Sequence, residues 1–244
     1  MNSNRLDQYL YNNGWCNSRT LAAKLVREGY VSVDGKECRK PAEKISPESH
    51  VEVHENPLDR YVSRGGLKLE KALQEFGIEL RGLLCIDIGA STGGFTDCLL
   101  QHGARRVYAI DSGTGQLHPS LRENPCVVSM ENTNARFLDE SMVPIAPIVT
   151  MDVSFISQSL LYPAVAKVLA DDGSFIALIK PQFEVGRENL DHGIVKNEKK
   201  RLECIEKLRE DAKKHGLIMQ NVIASPIQGG DGNQEFLALF HKES

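Results

Sequence analysis

Four charged residues lie beside apolar runs of the sequence, at places where a buried strand would begin or end. Asp152 and Lys180 each directly follow such a run, and Glu235 directly precedes the last one. Lys68 adds a second cation shortly before the first run. Any one of them alone is consistent with a solvated surface charge. Lysines and carboxylates brought together can stabilise one another away from water and can hold a proton, so the four positions indicate a catalytic cluster at one edge of a sheet.

A turn rich in small residues follows the first apolar run, with the sequence GASTGGFT at 89–96. Glycines let a backbone approach a ligand closely, and the helix expected after the turn offers unpaired N–H groups. Asp87 precedes the turn, and Asp111 ends the next apolar run, where an acid can bind ribose hydroxyls. The turn has neither the G-x-G-x-x-G spacing of dinucleotide binders nor a Walker lysine. Acids without a phosphate-binding motif favour a cationic nucleoside, S-adenosylmethionine, as the cofactor.

The expected cofactor contacts come from this turn and from the ends of the neighbouring strands. They are Asp87, Gly89, Ser91, Gly93, Gly94, Phe95, Asp111, Thr133, Asn134 and Asp152.

Strand and helix patterns alternate from residue 83 onward, and these elements would position the charged residues. Apolar runs predict strands at 83–88, 107–111, 148–152, 174–180, 217–223 and 235–240, and helical periodicity predicts helices at 94–102, 158–169 and 198–215. This alternation predicts an α/β, Rossmann-like sheet that is mostly parallel, with an antiparallel last strand. A small α+β domain is expected at 1–58, a linker at 59–66 and the larger domain at 67–244.

Charge is distributed unevenly along the chain. Residues 1–44 carry eight Lys/Arg and five Asp/Glu, a local balance of +3 in a chain whose formal net charge is −4. A protein that bound nucleic acid over its whole surface would be basic overall. Any nucleic-acid contact is therefore expected to come from a local patch in the N-terminal segment.

Four motifs of the larger domain resemble those of the TlyA family, whose catalytic domain is similar to that of the FtsJ ribosomal RNA 2′-O-methyltransferases. They are SRGGLKL at 63–69, DIGASTGGFTD at 87–97, DVSFIS at 152–157 and KPQFE at 180–184. The resemblance implies a class I methyltransferase sheet and a tetrad of Lys68, Asp152, Lys180 and Glu235. It also implies methylation of a cytidine ribose in ribosomal RNA of the small or large subunit, or both.

The N-terminal segment resembles the small RNA-binding domain named after the fourth protein of the small ribosomal subunit. The matching motifs include RLD at 5–7, SR at 18–19, VDG at 33–35 and KP at 40–41. The resemblance implies contacts to the phosphates and shape of a structured RNA rather than to its base edges. The expected RNA-binding residues are Arg5, Ser18, Arg19, Lys24, Arg27, Lys36 and Lys40, with Arg64 from the linker.

Ribose methylation is consistent with the residue types of the tetrad. A 2′-hydroxyl is a poor nucleophile, so an enzyme must align oxygen, methyl and sulfur and help the proton leave. We expect Lys180 to contact the 2′-oxygen, with Asp152 and Glu235 orienting the two lysines. The sequence DVSF at 152–155 departs from the motif of amino-group methyltransferases, and Cys126 precedes a different strand from the one a cytosine C5 nucleophile would need.

Composition excludes several other classes of protein. The six cysteines show no C-x-x-C spacing, so we expect free thiols and no metal site. No apolar run approaches the ~18 residues of a membrane span, and the first residues lack the apolar core of a signal peptide. We expect a cytoplasmic monomer or weak oligomer that acts on ribosomal RNA or ribosomal subunits. A haemolysin-like role and a ribosome-assembly protein with an inert site remain the alternatives.

Overall fold

A computed structural model describes residues 4–16, 18–27, 29–53, 60–229 and 232–243 of the chain. The chain divides into two compact units, Met1–Arg60 and Tyr61–Ser244. Tyr61 is buried in the core of the second unit, and a helix begins at Gly65, so residues 61–66 of the expected linker belong to that unit. The sequence also indicates a helix cap at Asn17, a linker at Asn56-Pro57 and a turn that includes Gly230 and Asp231, and these residues lie outside the described ones.

The first unit is a small α+β fold. Its elements are β1 (Asn4–Arg5), α1 (Leu6–Asn12), α2 (Arg19–Arg27), β2 (Val31–Val33), β3 (Lys36–Glu37), β4 (Lys44–Ile45) and β5 (Val51–Val53). The strands β3, β2 and β5 form one antiparallel sheet, and β1 pairs with β4. The turn between β2 and β3 contains Asp34 and Gly35, both at positive φ, as the Asp-Gly pair predicts. Leu6, Leu10 and Leu25 are the centre of its core.

The second unit alternates strands and helices. Its elements are α3 (Gly65–Phe76), β6 (Leu84–Ile88), α4 (Gly94–Gln101), β7 (Arg106–Ile110), α5 (Pro119–Arg122), β8 (Val127–Met130), β9 (Ala146–Met151), α6 (Tyr162–Val168), β10 (Leu169–Ile179), α7 (Pro181–Glu184), α8 (Glu198–Lys213), β11 (Leu217–Ala224) and β12 (Phe236–Lys242). The sequence prediction did not include α5 and α7, and two predicted elements differ from the structure by more than two residues. The predicted helix at 158–169 is a 3₁₀ turn, Gln158–Leu160, followed by α6, and the strand predicted at 174–180 begins already at Leu169.

Seven strands form one sheet in the order β11-β12-β10-β9-β6-β7-β8. The pairs β6–β7, β6–β9, β7–β8 and β9–β10 are parallel, and β12 runs antiparallel to both of its neighbours. The expected mixed sheet is therefore confirmed. The strand order reverses at β6, whose neighbours are β7 on one side and β9 on the other. In such sheets a crevice opens beyond the carboxyl ends of the strands at this reversal, and ligands bind there.

Both faces of the sheet are covered. Along β10, Phe175 and Ala177 belong to one apolar cluster and Ile176 and Leu178 to another. Because neighbouring side chains on a strand point to opposite faces, the two clusters lie on opposite sides of the sheet. This explains the continuous apolar run of the strand, and it leaves the strand ends as the places where polar side chains can collect.

Candidate active site

The four charged residues that the sequence indicates form two ion pairs. Lys68 Nζ lies 2.5 Å from Glu235 Oε2, and both side chains are almost completely buried. Lys180 Nζ lies 2.5 Å from Asp152 Oδ1 and also donates a hydrogen bond to Ser154 Oγ at 2.9 Å. Two cations and two carboxylates buried in this way compensate one another's charge, which offsets the free-energy cost of removing them from water.

Each pair joins elements that are distant in the sequence. Lys68 lies in the first turn of α3, and Glu235 directly precedes β12. Asp152 follows the last residue of β9, and Lys180 follows the last residue of β10 and caps α7. The fold thus brings all four to the carboxyl-end edge of the parallel strands.

Two adjoining cavities open at this edge. The first, of about 230 Å³, is lined by Ser63, Arg64, Gly65, Lys68, Gly89, Ala90, Ser91, Thr92, Gly94, Phe95 and Asp152. The second, of about 340 Å³, is lined by Ile88, Gly89, Ser91, Ile110, Asp111, Ser112, Gln116, Thr133, Asn134, Ala135, Asp152, Val153, Ser154, Phe155, Ile156 and Leu161. Gly89, Ser91 and Asp152 line both cavities, so one continuous crevice runs from the tetrad to the ends of β7 and β8.

The close approach of two backbones explains Gly89. Its φ is +82°, and a Cβ built on it would collide with the carbonyl oxygen of Asp152. The Asp152 N–H in turn donates to the carbonyl oxygen of Ile88. A side chain at position 89 would therefore push apart the ends of β6 and β9, where the crevice lies.

Asp111 lies where the sequence predicts a ribose-binding acid. Its Oδ2 accepts a hydrogen bond from the Ser91 N–H at 2.8 Å, and its Oδ1 accepts one from the Gly113 N–H at 2.7 Å. These bonds fix the carboxylate at the wall of the second cavity, and each oxygen keeps a lone pair for a ligand hydroxyl. Ser91 itself has a φ of +48°, an uncommon conformation for serine that aims its N–H at Asp111.

Three other predicted cofactor residues line the crevice as expected. Thr133 and Asn134 line the second cavity and Phe95 the first. The Asn134 side chain also accepts a hydrogen bond from the Arg136 N–H and caps a 3₁₀ turn. Ser112 and Gln116, which the sequence analysis did not single out, line the same cavity, and they follow Asp111 closely enough in the chain that its assignment could have suggested them.

Asp87 does not contact the crevice, contrary to the sequence prediction. Its side chain is 0% exposed and lines neither cavity. Its Oδ2 accepts a hydrogen bond from Thr96 Oγ1 and its Oδ1 one from Thr150 Oγ1. Burial raises its pKa to about 6, with the charge of Asp152 adding to the rise. Asp87 therefore connects β6, α4 and β9 behind the crevice, and its placement gives no support to a direct contact with a cofactor.

Gly93 and Gly94 shape the turn rather than provide a donor group. Gly93 has a φ of +101°, and a Cβ on it would collide with a methyl carbon of Leu121. A Cβ on Gly94 would collide with Ser63 Oγ and would lie 3.0 Å from the Gly66 nitrogen. The N-terminal turns of α3 and α4 therefore pack closely together at the first cavity, and Gly94 lines that cavity while Gly93 does not.

Arg64 belongs to the second unit and lines the first cavity, beside Ser63. Its expected role in RNA binding therefore gains no support from its placement. The N-terminal unit holds the other predicted RNA-binding residues. Of these, Arg5, Arg19, Arg27, Lys36 and Lys40 are exposed and Lys24 is half-buried. Ser18 accepts a hydrogen bond from the Leu21 N–H at the start of α2, which is the interaction of a helix cap.

The sequence analysis did not single out Ser154 and Phe155, which follow Asp152 closely in the chain. Ser154 bonds Lys180, and Phe155, 90% exposed, packs its ring against Phe183 at a centroid distance of 4.9 Å. Phe155 has a φ of +64°, which is rare for an aromatic residue and is a signature of functional strain. Nothing in the sequence signals a positive φ at a phenylalanine, but an apolar residue beside a predicted catalytic acid could have been noted.

Comparison with known proteins gives the family of this chain. The FtsJ-like methyltransferase family matches residues 61–242, which include the whole crevice. The chain belongs to the FtsJ-like methyltransferase family. Residues 4–51 match the S4 domain, which covers the first unit up to the start of β5.

Three similar proteins match over nearly their whole length. The 16S/23S rRNA (cytidine-2′-O)-methyltransferase TlyA of Mycobacterium tuberculosis is 40% identical over 95% of this chain and 87% of its own. Hemolysin A of Brachyspira hyodysenteriae is 41% identical over 97% of this chain and 99% of its own. A solved structure from Streptococcus thermophilus, 43% identical, covers 100% of this chain and 90% of its own with a TM-score of 0.77. These identities place the chain in the TlyA family, as its motifs predicted.

Two kinds of feature are absent from the described residues. Among those residues no helix is both long enough and apolar enough to cross a membrane. The same part of the chain holds no group of three or more His, Cys, Asp or Glu side chains arranged to bind a metal ion.

Proposed function

We propose that this protein transfers a methyl group from S-adenosylmethionine to the 2′-hydroxyl of a cytidine in ribosomal RNA, and acts in the cytoplasm, where ribosomes are assembled. The observation that carries the proposal is the pairing of Lys68 with Glu235 and of Lys180 with Asp152 at the end of the crevice. The family membership supports the reaction type. The relative named as a cytidine-2′-O-methyltransferase supports the choice of nucleotide.

The crevice fits S-adenosylmethionine in shape and in the chemistry of its walls. Asp111 offers carboxylate oxygens to a ribose, in the cavity that Ile88 and Ala135 line with apolar surface for an adenine. The first cavity lies at the N-termini of α3 and α4 and contains Arg64, a combination that suits a carboxylate such as that of the methionine end. Asp152, shared by both cavities, faces the region between them, where the positive sulfonium and ammonium would lie.

The tetrad residues would then align and deprotonate the hydroxyl group. Bound S-adenosylmethionine supplies a methyl group on a positively charged sulfur, so the C–O bond forms as the C–S bond breaks. Lys180 lies beside Asp152 at the edge of the crevice, and its neutral amine form accepts the proton of the 2′-hydroxyl. The Lys68–Glu235 pair holds its charges in a fixed place next to this centre. Alignment of the reactants can contribute ~7–11 kcal/mol and base assistance ~10²–10⁴-fold, so positioning carries the greater part of the rate.

Phe155 provides an exposed aromatic surface at the mouth of the crevice. Stacking of a base on such a ring contributes ~1–3 kcal/mol, and RNA-modifying enzymes act on nucleotides taken out of the helical stack. We propose that Phe155 stacks on a base of the substrate while the S4 domain binds the surrounding RNA through its exposed basic residues. The first contact would position one nucleotide, and the second would supply affinity.

Methyl transfer to ribosomal RNA tests the proposed function directly. Purified protein is incubated with S-adenosylmethionine labelled in its methyl group and with each purified ribosomal subunit, and the RNA is then hydrolysed with alkali. Methylation of a 2′-oxygen blocks cleavage of the adjacent phosphodiester, so we expect label in alkali-resistant dinucleotides that begin with cytidine. Label in alkali-sensitive mononucleotides would indicate base methylation and would contradict the proposal.

Substitution of the proposed base provides the matched control. Lys180→Ala should reduce the transfer rate by at least ~10²-fold, since it removes the proton acceptor. Lys213→Ala, at the end of α8, removes a lysine of the same unit and should leave the rate unchanged. Equal rates for the two variants would exclude Lys180 from the reaction.

A further inference from the structure

Lys180 is held from two sides, and the two contacts differ in kind. Asp152 Oδ1 lies 2.5 Å from the lysine nitrogen, but this buried oxygen has no hydrogen-bond partner among the described residues. The contact is an ion pair, and it holds the amine close to the carboxylate. Ser154 Oγ, at 2.9 Å, accepts a hydrogen bond from the same nitrogen. Because hydrogen bonds depend on angle, Ser154 is the group that sets the orientation of the amine.

The backbone after β9 is shaped to bring Ser154 to this place. The chain turns sharply directly after Ser154, because Phe155 has a φ of +64°. An aromatic residue adopts this conformation at a cost of ~1–3 kcal/mol, which the surrounding structure must offset. The packing of Phe155 on Phe183, which lies in α7 three residues after Lys180, is one such contact. This packing keeps the neighbouring Ser154 close to Lys180.

A lysine that accepts a proton must point its lone pair at the hydroxyl group. A neutral amine has two N–H groups and one lone pair, arranged tetrahedrally with the Cε–Nζ bond, and it rotates freely about that bond unless an acceptor fixes one N–H. Lys180 itself lines neither cavity, but its two partners, Asp152 and Ser154, line the second, so the amine contacts two groups of the crevice wall. With one N–H bonded to Ser154, the amine no longer rotates freely, and the direction of its lone pair is fixed.

We propose that Ser154 is a positioning residue that fixes the rotation of the Lys180 amine so that its lone pair faces the ribose hydroxyl. This inference rests on the proposed function, in which Lys180 accepts the proton. Ser154 does not itself exchange a proton with the substrate.

The test compares Ser154→Ala and Ser154→Thr with wild type in the labelled transfer assay. Alanine removes the hydrogen-bond acceptor, so kcat should fall roughly tenfold, a part of the effect of a general base. Threonine keeps the hydroxyl group and should restore kcat to within about threefold of wild type. The KM for the ribosomal subunit and the Kd for S-adenosylmethionine, measured by calorimetry, should change less than about twofold in both variants, which also shows that they are folded.

A matched control comes from the same segment. Ser159 bonds Ser157 and not Lys180, so Ser159→Ala should keep the wild-type kcat. The role of Ser154 is overturned if Ser154→Ala keeps its kcat, or if kcat falls only together with cofactor affinity, or if threonine does not restore it. These results presuppose a wild-type enzyme that methylates RNA. If wild type transfers no methyl group to either subunit, it is the proposed function that fails.

Discussion

The carboxyl group of Asp87 lies behind the crevice and is completely buried. It is enclosed by Thr96 and Thr150 and holds together three elements that end at the crevice. A buried carboxyl group is more easily protonated than an exposed one, and its pKa rises from 3.8 to about 6. Because the folded state then binds this proton more tightly than the unfolded chain does, the group makes stability dependent on pH.

Asp87→Asn should remove this dependence. The folded state binds the Asp87 proton more tightly than the unfolded chain does, and the stabilisation that results is fully present below about pH 4. It is lost as the pH rises through 6. The free energy of unfolding of wild type, minus that of the variant, should therefore fall by on the order of 3 kcal/mol between pH 4 and pH 7. Urea titrations of wild type and variant at several pH values measure this difference. Glu79→Gln, at an exposed position after α3, controls for the loss of one negative charge. A pH-independent difference for Asp87→Asn would show that its pKa is ordinary.

Phe155→Ala should weaken RNA binding without weakening the fold. The ring is 90% exposed, so its removal should change the free energy of unfolding by less than about 0.5 kcal/mol. Loss of one stacked base should raise the Kd for the ribosomal subunit roughly tenfold, measured by filter binding. Phe137 is also an exposed phenylalanine, 70% accessible, and lines neither cavity, so Phe137→Ala should bind like wild type. Equal affinities for the two variants would dismiss the stacking role.

Residue types beside apolar runs were enough to predict which side chains gather at the crevice, but not how each one is used. The tetrad and Asp111 were predicted because strand ends concentrate polar groups in this kind of sheet. The burial of Asp87 depends on Thr96 and Thr150, and no local pattern shows that these hydroxyl groups would enclose it. The turn at Phe155 could not be predicted from the sequence either, because it depends on packing against Phe183 in α7, which is distant in the chain.

At the scale of elements, the close approach between the ends of β6 and β9 determines the shape of the crevice. Gly89 permits this approach, because a side chain there would strike the Asp152 carbonyl group. Gly82 has nearly the same backbone conformation, with a φ of +78°, but open space where its Cβ would be. An alanine at position 82 therefore introduces backbone strain alone, whereas an alanine at position 89 introduces the same strain and a collision.

Gly82→Ala and Gly89→Ala should differ sharply. The first should lower the free energy of unfolding by ~1–2 kcal/mol, the strain of a left-handed alanine. The second should lower it further and raise the Kd for S-adenosylmethionine at least about tenfold, because the strand ends must separate. Thermal unfolding and calorimetry measure the two quantities. Similar effects of the two substitutions on cofactor affinity would refute the importance of the close approach.

Element types and order were predictable because the central strands β6, β9 and β10 are buried on both faces and the long helices show a regular apolar spacing. The residues at which the elements begin and end were less predictable. The strand β10 begins at Leu169 because it pairs with Ala146 across an irregularity before Ser174, a tertiary interaction without a local signal. The two-residue strands β1 and β4 were missed for the same reason, since neither is long enough to show alternation.

At the scale of the whole molecule, charge is divided between the two units. The chain has a formal net charge of −4, yet its first 44 residues carry a surplus of three positive charges. An acidic enzyme is repelled by RNA in general, and a local basic surface selects where binding can occur. The S4 match lies on this same segment.

Arg19→Glu combined with Arg27→Glu should reduce RNA affinity and its salt dependence together. Both side chains are exposed on α2, and each arginine that no longer neutralises a phosphate reduces the slope of log K against log salt by about one. Cofactor affinity should stay the same, because the crevice belongs to the other unit. The charge-matched control is Lys199→Glu with Lys213→Glu on α8, which should keep the wild-type slope. An unchanged slope for the arginine variant would place RNA binding elsewhere.

The Lys68–Glu235 pair has a consequence for the order in which the second unit can assemble. Its two members are 167 positions apart, one in the first helix of its unit and the other at the entrance to the last strand. Because β12 lies between β10 and β11 in the sheet, the ion pair can form only after this last strand has been inserted. The complete cluster of charges beside the crevice therefore depends on the C-terminal strand, and a chain without β12 leaves Lys68 without its carboxylate partner.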